Sequence, residues 1–512
     1  MNKLLTLLLI LFFTICTAQQ EEMTAFLENA LKAAEIGDEK ELMTNLTYFS
    51  TAIEDEDITP GKLSDSNLSL YTDALYTATW KKLNIPENLI HKTILFLEYK
   101  IEEKPKNMYA LGYLNYEGIG VSQNYIRAIY WYEKAAEKDN DMAMVALGYV
   151  YNQGIGVTQD YSKANYWFEK AAEKKNDYAM LALGTVYYQG MGVTQDYSKA
   201  KYWYEKAAEK ENDYAMINLG DLYREGLGVA QDYSKAKYWY AKAAEKENEP
   251  AMNKLGYLYE EGLGVAQDYS KAKYWYEKAA EKENGAAMNN LGLMYYDGLG
   301  VSQDYGQAIY WFEKAAEKEN GAAMNNLGLM YYDGLGVSQD YGQAIYWFEK
   351  AAEKGNTTAM TRLGVMYYDG LGVPQDYNQA KYWFEKAIEK QNDSAMNGLG
   401  HIYYYGLGVI QDYNQAKYWF EKAAEKGNTI SMTMLGNMYF GGFGVAQDYS
   451  KAKYWNEKAA EKENPIGLFN LGFLYEKGYG IRKDYPKAKH YYQMSCDKGN
   501  SDGCVKAKEL KK

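Results

Sequence analysis

The chain has 512 residues, 47% of them hydrophobic, with 46 glycines against 7 prolines and a formal net charge of −13 at neutral pH. Low proline beside abundant Ala, Glu, Lys and Tyr excludes collagen-like, linker-rich and disordered chains. The acidic balance excludes a general nucleic-acid binder, which carries a basic face.

Residues 1–18 read as a secretory signal: Lys3 is the positive end, Leu4 to Ile15 is apolar, and Cys16-Thr17-Ala18 ends in small residues before Gln19. The apolar stretch is about a dozen residues, short of the roughly 20 that span a bilayer. Two alternatives stay open: an uncleaved anchor, and a lipoprotein lipidated at Cys16, although Ile15 stands where such signals have a small residue. No later segment is long and apolar enough to cross a membrane, so the mature chain is expected in the periplasm or outside the cell. Residues 19–104 follow as a helical capping region. Helices are predicted over Glu21–Ile36, Asp38–Phe49, Ser66–Leu83 and Pro86–Glu103, with Pro60-Gly61 in a loop. Such a cap covers the first open face of an array.

From residue 105 to 508 the chain repeats, with a polar tail over 509–512. Trp131, Trp167, Trp203, Trp239, Trp275, Trp311, Trp347, Trp383, Trp419 and Trp455 are each 36 residues apart, as are eleven glycines from Gly112 to Gly472. Residues 285–320 and 321–356 differ only at Glu319 against Gly355. A fixed period of this size means a solenoid built from one supersecondary unit. Within one unit, Ala143, Leu147 and Tyr151 fall on one face of a predicted helix over Asp141–Gln153. Gly154-Ile155-Gly156-Val157 breaks that helix. Asp160 caps a second, over Tyr161–Lys174, with Trp167, Phe168 and Ala171 on one side. Asn176 caps the next unit. Two helices cannot bury both faces alone, so stacked neighbours supply the core. The ten tryptophans are expected in it. At the helix exits three units have the left-handed C′ residue of choice, Gly355, Gly427 and Gly499. The others place Glu, Lys, Asp or Gln there, and the sequence does not decide their geometry.

The pattern A-M-x-x-L-G-x-x-Y-x-x-G-x-G-V-x-Q-D-Y-x-x-A-x-Y-W-x-E-K-A-A-E-K-x-N resembles the Sel-one-like repeat, a relative of the tetratricopeptide repeat, over about residues 105–508. The resemblance implies an all-α fold: an α/α solenoid superhelix of about eleven 36-residue helix-turn-helix repeats with an N-terminal helical cap. It also implies an adaptor or scaffold rather than an enzyme. Cysteine-rich members of that family join the positions held here by Cys496 and Cys504, which implies a disulfide between them. Export supplies the oxidising compartment, and signal removal takes away Cys16.

Little in the chain suggests other chemistry. His91, His401 and His490 do not repeat and no His/Cys/Asp cluster has ligand spacing, so no metal, cofactor or catalytic residue is assigned. The Gly-x-Gly-Val loops lack the third glycine and the Lys-Ser/Thr of phosphate loops. Ser198–Lys201, Ser234–Lys237, Ser270–Lys273 and Ser450–Lys453 match S-x-x-K but no S-D-N or K-T-G accompanies them. A β-lactam-interacting enzyme of the cysteine-rich repeat type is therefore a remote alternative. The tyrosines that vary between units, Tyr296, Tyr332, Tyr368, Tyr404 and Tyr405, are the candidate partner-binding residues, because aromatics with a polar tip suit interfaces. The expected function is an exported, non-enzymatic scaffold that binds a protein or peptide along the concave face. The alternative is a cell-wall glycan or peptidoglycan binder.

Overall fold

A computed structural model describes residues 105–119 and 121–510, together with Lys32. The expected signal (1–18), the capping region apart from Lys32, and residues 511–512 lie outside the described residues. So do Cys16 and His91. Within the described residues there are 23 helices and no strand. Eleven helix pairs start at residues 105, 141, 177, 213, 249, 285, 321, 357, 393, 429 and 465, and are called units 1 to 11. A last helix, Ser501–Glu509, follows them. The all-α repeat array is therefore as the sequence reading has it. By internal contacts the chain falls into two compact bodies, Met1–Lys246 and Glu247–Lys512. Within each, the first helix of a unit packs on its second, and the second on the first helix of the next unit.

Each unit is assembled by local chemistry. In unit 6 the first helix, Gly285–Asp297, is capped by Asn284, whose side chain accepts from the Ala287 N–H. It ends on Gly298 in the left-handed region at φ 73°. The second helix, Tyr305–Glu317, is capped by Asp304, which accepts from the Gln307 N–H at 3.0 Å. Gln303 ties the loop by donating Nε2 to the Tyr296 carbonyl at 2.8 Å. The second loop glycine serves the stack: a methyl on Gly336 would stand 2.6 Å from Tyr305 Cβ of the preceding unit.

The core lies one residue beyond the expected place. Trp131, Trp167, Trp203, Trp239, Trp275, Trp311, Trp347, Trp383, Trp419 and Trp455 are half-buried at its margin. The buried ring is the residue after each, such as Tyr240, Phe312, Phe348 and Phe420. The reason is helical phase. Ala344, Phe348, Ala351 and Ala352 share the inward stripe, and Trp347 falls about 100° off the Phe348 direction. The glycine of each Leu-Gly pair exists for that ring: a methyl on Gly328 would stand 2.5 Å from Phe348 Cδ1. Ten units put Tyr or Phe at this position, and unit 10 puts Asn456.

The exits left undecided by the sequence are left-handed. Asp139, Lys175, Glu211, Glu247, Glu283, Glu319, Gln391 and Glu463 all have φ between 59° and 66°. That conformation costs a non-glycine residue roughly 1–2 kcal/mol. Most of these residues meet a lysine one unit later, as Glu283 meets Lys318 at 2.8 Å and Glu319 meets Lys354 at 2.9 Å. The exposed ion pair returns at most about 1 kcal/mol. Cys496 and Cys504 form the implied disulfide, joining the second helix of unit 11 to the last helix with Cα atoms 4.5 Å apart.

Candidate interaction surface

The first helices carry the variation. In unit 6, Ala287, Met288, Leu291, Gly292 and Met294 are buried. Ala286, Asn290, Leu293, Tyr296 and Asp297 keep exposed surface. Their spacing of three or four residues makes them one stripe. The same positions change from unit to unit, whereas the inward Ala and Leu-Gly are nearly constant; the buried position of Asn289 is the inward exception, reading Val145, Ile217 and Thr433 elsewhere.

In the first body the stripe is polar around Thr185, Asp221 and Arg224-Glu225. In the second body it begins with Glu260-Glu261 and passes through Leu293, Leu329 and Val365 to His401, Asn437 and Phe473. Several buried rings reach it with their hydroxyl tips. Tyr240 donates to Asp221 at 2.7 Å, Tyr276 to Glu260 at 2.5 Å and Tyr492 to Glu476 at 2.8 Å. Tyr204 lies 3.3 Å from the Thr185 hydroxyl, and burial above all pushes its pKa up to about 12. Burial also raises the Glu260 carboxyl, although the Tyr276 hydroxyl bond pulls it the other way. His401, packed edge-on against Phe420 with ring centres 5.3 Å apart, is pushed down by burial.

The five candidate tyrosines do not behave alike. Tyr296, Tyr332, Tyr368 and Tyr404 are half-buried. Each packs against the first tyrosine of its own second helix, Tyr305, Tyr341, Tyr377 and Tyr413, with ring centres 5.3 to 5.6 Å apart. Desolvation, before any neighbouring charge, raises their hydroxyl pKa values. They close the loop between the two helices and offer one edge outward. Tyr405, by contrast, is 54% exposed.

The S-x-x-K lysines are engaged elsewhere: Lys201, Lys273 and Lys453 each pair with a glutamate one turn on, Glu205, Glu277 and Glu457, at 2.6 Å. Among the described residues no group of three or more His, Cys, Asp or Glu is placed to hold a metal ion. None of their helices is long and apolar enough to cross a membrane.

Two features escaped the sequence reading. One is a row of asparagines that runs from the stripe inward: Asn290 donates to Asn253, and Asn326 to the buried Asn289, each at 3.0 Å. The row stops at unit 8, where Arg362 stands. Asn325 Oδ1 and Arg362 Nε are buried there with no hydrogen-bond partner. The repeated Asn-Asn-Leu-Gly of units 6 and 7 was its only signal. The other is on the second helices. The tyrosine before each repeat tryptophan, from Tyr130 to Tyr454, is about half exposed and lies edge-on to that tryptophan, as Tyr346 does to Trp347 with centres 5.2 Å apart.

Comparison with known proteins bears on the whole array. The Sel1 repeat family model matches eleven consecutive segments, from 108–140 to 465–500. A crystal structure of a protective antigen of uropathogenic Escherichia coli strains, described as displaying an SLR fold, is 33% identical. The match covers 83% of this chain and 94% of that one, with a TM-score of 0.51. A Sel1 repeat protein from Oxalobacter formigenes is 38% identical over 48% of this chain and 99% of that one, with a TM-score of 0.45. No curated protein matches the chain.

Proposed function

The chain belongs to the Sel1 repeat family, a family of repeat scaffolds that bind proteins, and from that premise we propose that it is an exported, non-enzymatic scaffold whose first-helix stripe binds one protein or peptide partner. Export rests on residues 1–18. The observation that carries the binding face is the concentration of variation on the first helices, most of it at the exposed stripe, while the second helices repeat nearly unchanged. Packing does not demand the changes, since Ala, Met, Leu and the buried ring already fill the core. Exposed apolar positions such as Val365 and Tyr405, 39% and 54% exposed, are the anchors expected to contribute most to binding.

The test is a pair of variants assayed on affinity capture from the export compartment, with purified peptidoglycan as a parallel bait. Val365→Ser with Tyr405→Ser is expected to abolish capture of a protein. Lys350→Ala with Lys386→Ala, on the second helices, is expected to leave it unchanged. The opposite pattern places the partner on the second helices, and retention on peptidoglycan alone replaces the protein reading with the glycan one.

A further inference from the structure

Unit 10 departs from the others at the position of their buried ring. Asn456 stands where the other ten units have Tyr or Phe, and it is 3% exposed. Gly436 still faces it, a methyl there standing 2.5 Å from Asn456 Nδ2. The glycine that makes room for a ring is kept, and the ring is gone.

Other units show where that ring would lie. Phe384 extends to the next first helix, so that a methyl on Gly398 would stand 2.6 Å from its Cζ. Phe420 and Phe168 lie edge-on to His401 and Tyr149 of their own first helices, with centres 5.3 and 5.2 Å apart. Around Asn456 those two places belong to Asn470 and Asn437. Both line a cavity of about 240 Å³, together with Asn456, Phe440, Phe469 and Phe473. The cavity is thus the site of the missing ring, and Asn437, which is exposed, stands at its edge on the variable stripe.

Its chemistry is amphipathic. Asn456 donates Nδ2 to the Ala452 carbonyl at 2.8 Å and accepts from Asn470 Nδ2 at 2.9 Å. That same Asn470 nitrogen lies 3.4 Å from Asn437 Oδ1. These bonds leave the Asn437 amide nitrogen as a donor and the Asn470 oxygen as an acceptor beside three phenylalanine rings. Pockets for drug-sized ligands run to about 300–1,000 Å³, so the space suits one ring and not an oligosaccharide. A flat apolar body with one hydrogen-bonding edge is a phenol. Five units of the chain place one at this position themselves: Tyr132, Tyr204, Tyr240, Tyr276 and Tyr492.

We propose that the cavity of unit 10 takes a tyrosine side chain of the partner, in the place that the chain's own ring fills in the other units. This rests on the reading of the stripe as a protein-binding face. The first test needs no partner: p-cresol is titrated into the full mature chain, followed by thermal unfolding and by ligand-observed NMR. Millimolar p-cresol is expected to raise the Tm by about 1–2 °C and toluene to raise it less. Asn456→Phe refills the hole as Phe420 does in unit 9. It should raise the Tm by itself and abolish the p-cresol response. Asn437→Trp changes only the exposed edge, so it keeps the fold and is expected to lose the NMR signal of bound p-cresol. No response in the wild type, a response as large as the wild type's in either variant, or a response to N-acetylglucosamine in place of p-cresol would each overturn the proposal. Failure of the Val365 and Tyr405 variants to affect capture would instead overturn the stripe, whatever p-cresol does.

Discussion

From unit 6 to unit 9 the second helix hardly changes: Gly306 and Ile309 become Asn414 and Lys417, while the Tyr-Trp-Phe-Glu-Lys run is kept. Over the same units the first helix exchanges Asn290 for Gly398, Leu293 for His401 and Asp297 for Tyr405. The two helices are equally long and pack on each other throughout the second body. What differs is the number of constraints on each residue. The second helix must place its inward ring over a glycine, seat its Ala-Ala pair beneath the next unit, and set a lysine against the preceding exit. The first helix meets its obligations with Ala, Met and Leu-Gly, and the remaining stripe is free to change.

The phase of that alternation is the most drastic thing to disturb. Deleting 321–356 removes a first and a second helix together and joins two junctions of the same kind. The shortened chain is expected to fold, with a single set of unfolding transitions close to that of the parent. Deleting 321–338 removes a first helix alone and leaves two second helices in succession. Stability in such arrays is a sum of unit and neighbour terms, so this deletion should leave proteolytically labile units on both sides. Circular dichroism and limited proteolysis of the two deletions compare them directly, and equal behaviour would contradict the division.

Within the second helix the contrast sharpens to adjacent residues. Phe348→Ala empties a fully buried site and is expected to cost about 3–5 kcal/mol. Trp347→Ala removes a larger side chain from the margin of the core and should cost about 1–2 kcal/mol. Urea titration of both variants reads the difference. A larger loss for the tryptophan would restore it to the centre of the core.

The exits supply a smaller test with the opposite sign. Glu319 is held at φ 60°, while its twin, Gly355, occupies the same place at φ 80° with open space where a Cβ would be. Glu319→Gly relieves the left-handed strain and forfeits an exposed ion pair to Lys354. The net expectation is a gain of about 0.5–1 kcal/mol, and Gly355→Glu should lose a similar amount. Matched denaturation curves suffice.

The smallest effect is a pH dependence on the first-helix stripe. Burial lowers the His401 pKa in the folded protein, whereas the unfolded chain takes up a proton near its ordinary value of about 6.5. The unfolded state then binds more protons over that interval. The stability held by neutral His401 is therefore complete above about pH 6.5 and declines as the pH falls toward the lower, folded value. His401→Phe, which copies Phe473 of unit 11, should flatten the Tm profile between about pH 5 and 7.

How far the sequence could be read follows from which contacts are local. The period, the Asn and Asp caps, the glycine breaks and the all-α array depend on neighbours within a turn or two, and they were legible. The choice between Trp347 and Phe348 as the buried ring was not. Tyr, Trp and Phe are consecutive, any of them could face inward, and the deciding partner, Gly328, lies on the other helix. The tyrosines of the stripe looked unexplained because their partners, such as Tyr341 for Tyr332, lie across a loop held by paired left-handed glycines. The left-handed glutamates escaped because a glutamate at a helix exit is ordinary until the next unit's lysine is in place. Asn456 was visible in the sequence as an exception, and it acquired meaning only once the ring around which the other units are built had been located.

Units 6 and 7 have one further consequence. Their stripes are the same in every residue, since the single difference, Glu319 against Gly355, falls at a helix exit. A partner small enough to touch one unit therefore finds two equivalent seats, and saturation should come at two partners per chain. A longer partner reaches beyond the twins, to Lys254 of unit 5 on one side and Arg362 of unit 8 on the other. Those flanks are unlike, which leaves it one register and a stoichiometry of one. The measured binding ratio is thus a ruler for the partner's footprint.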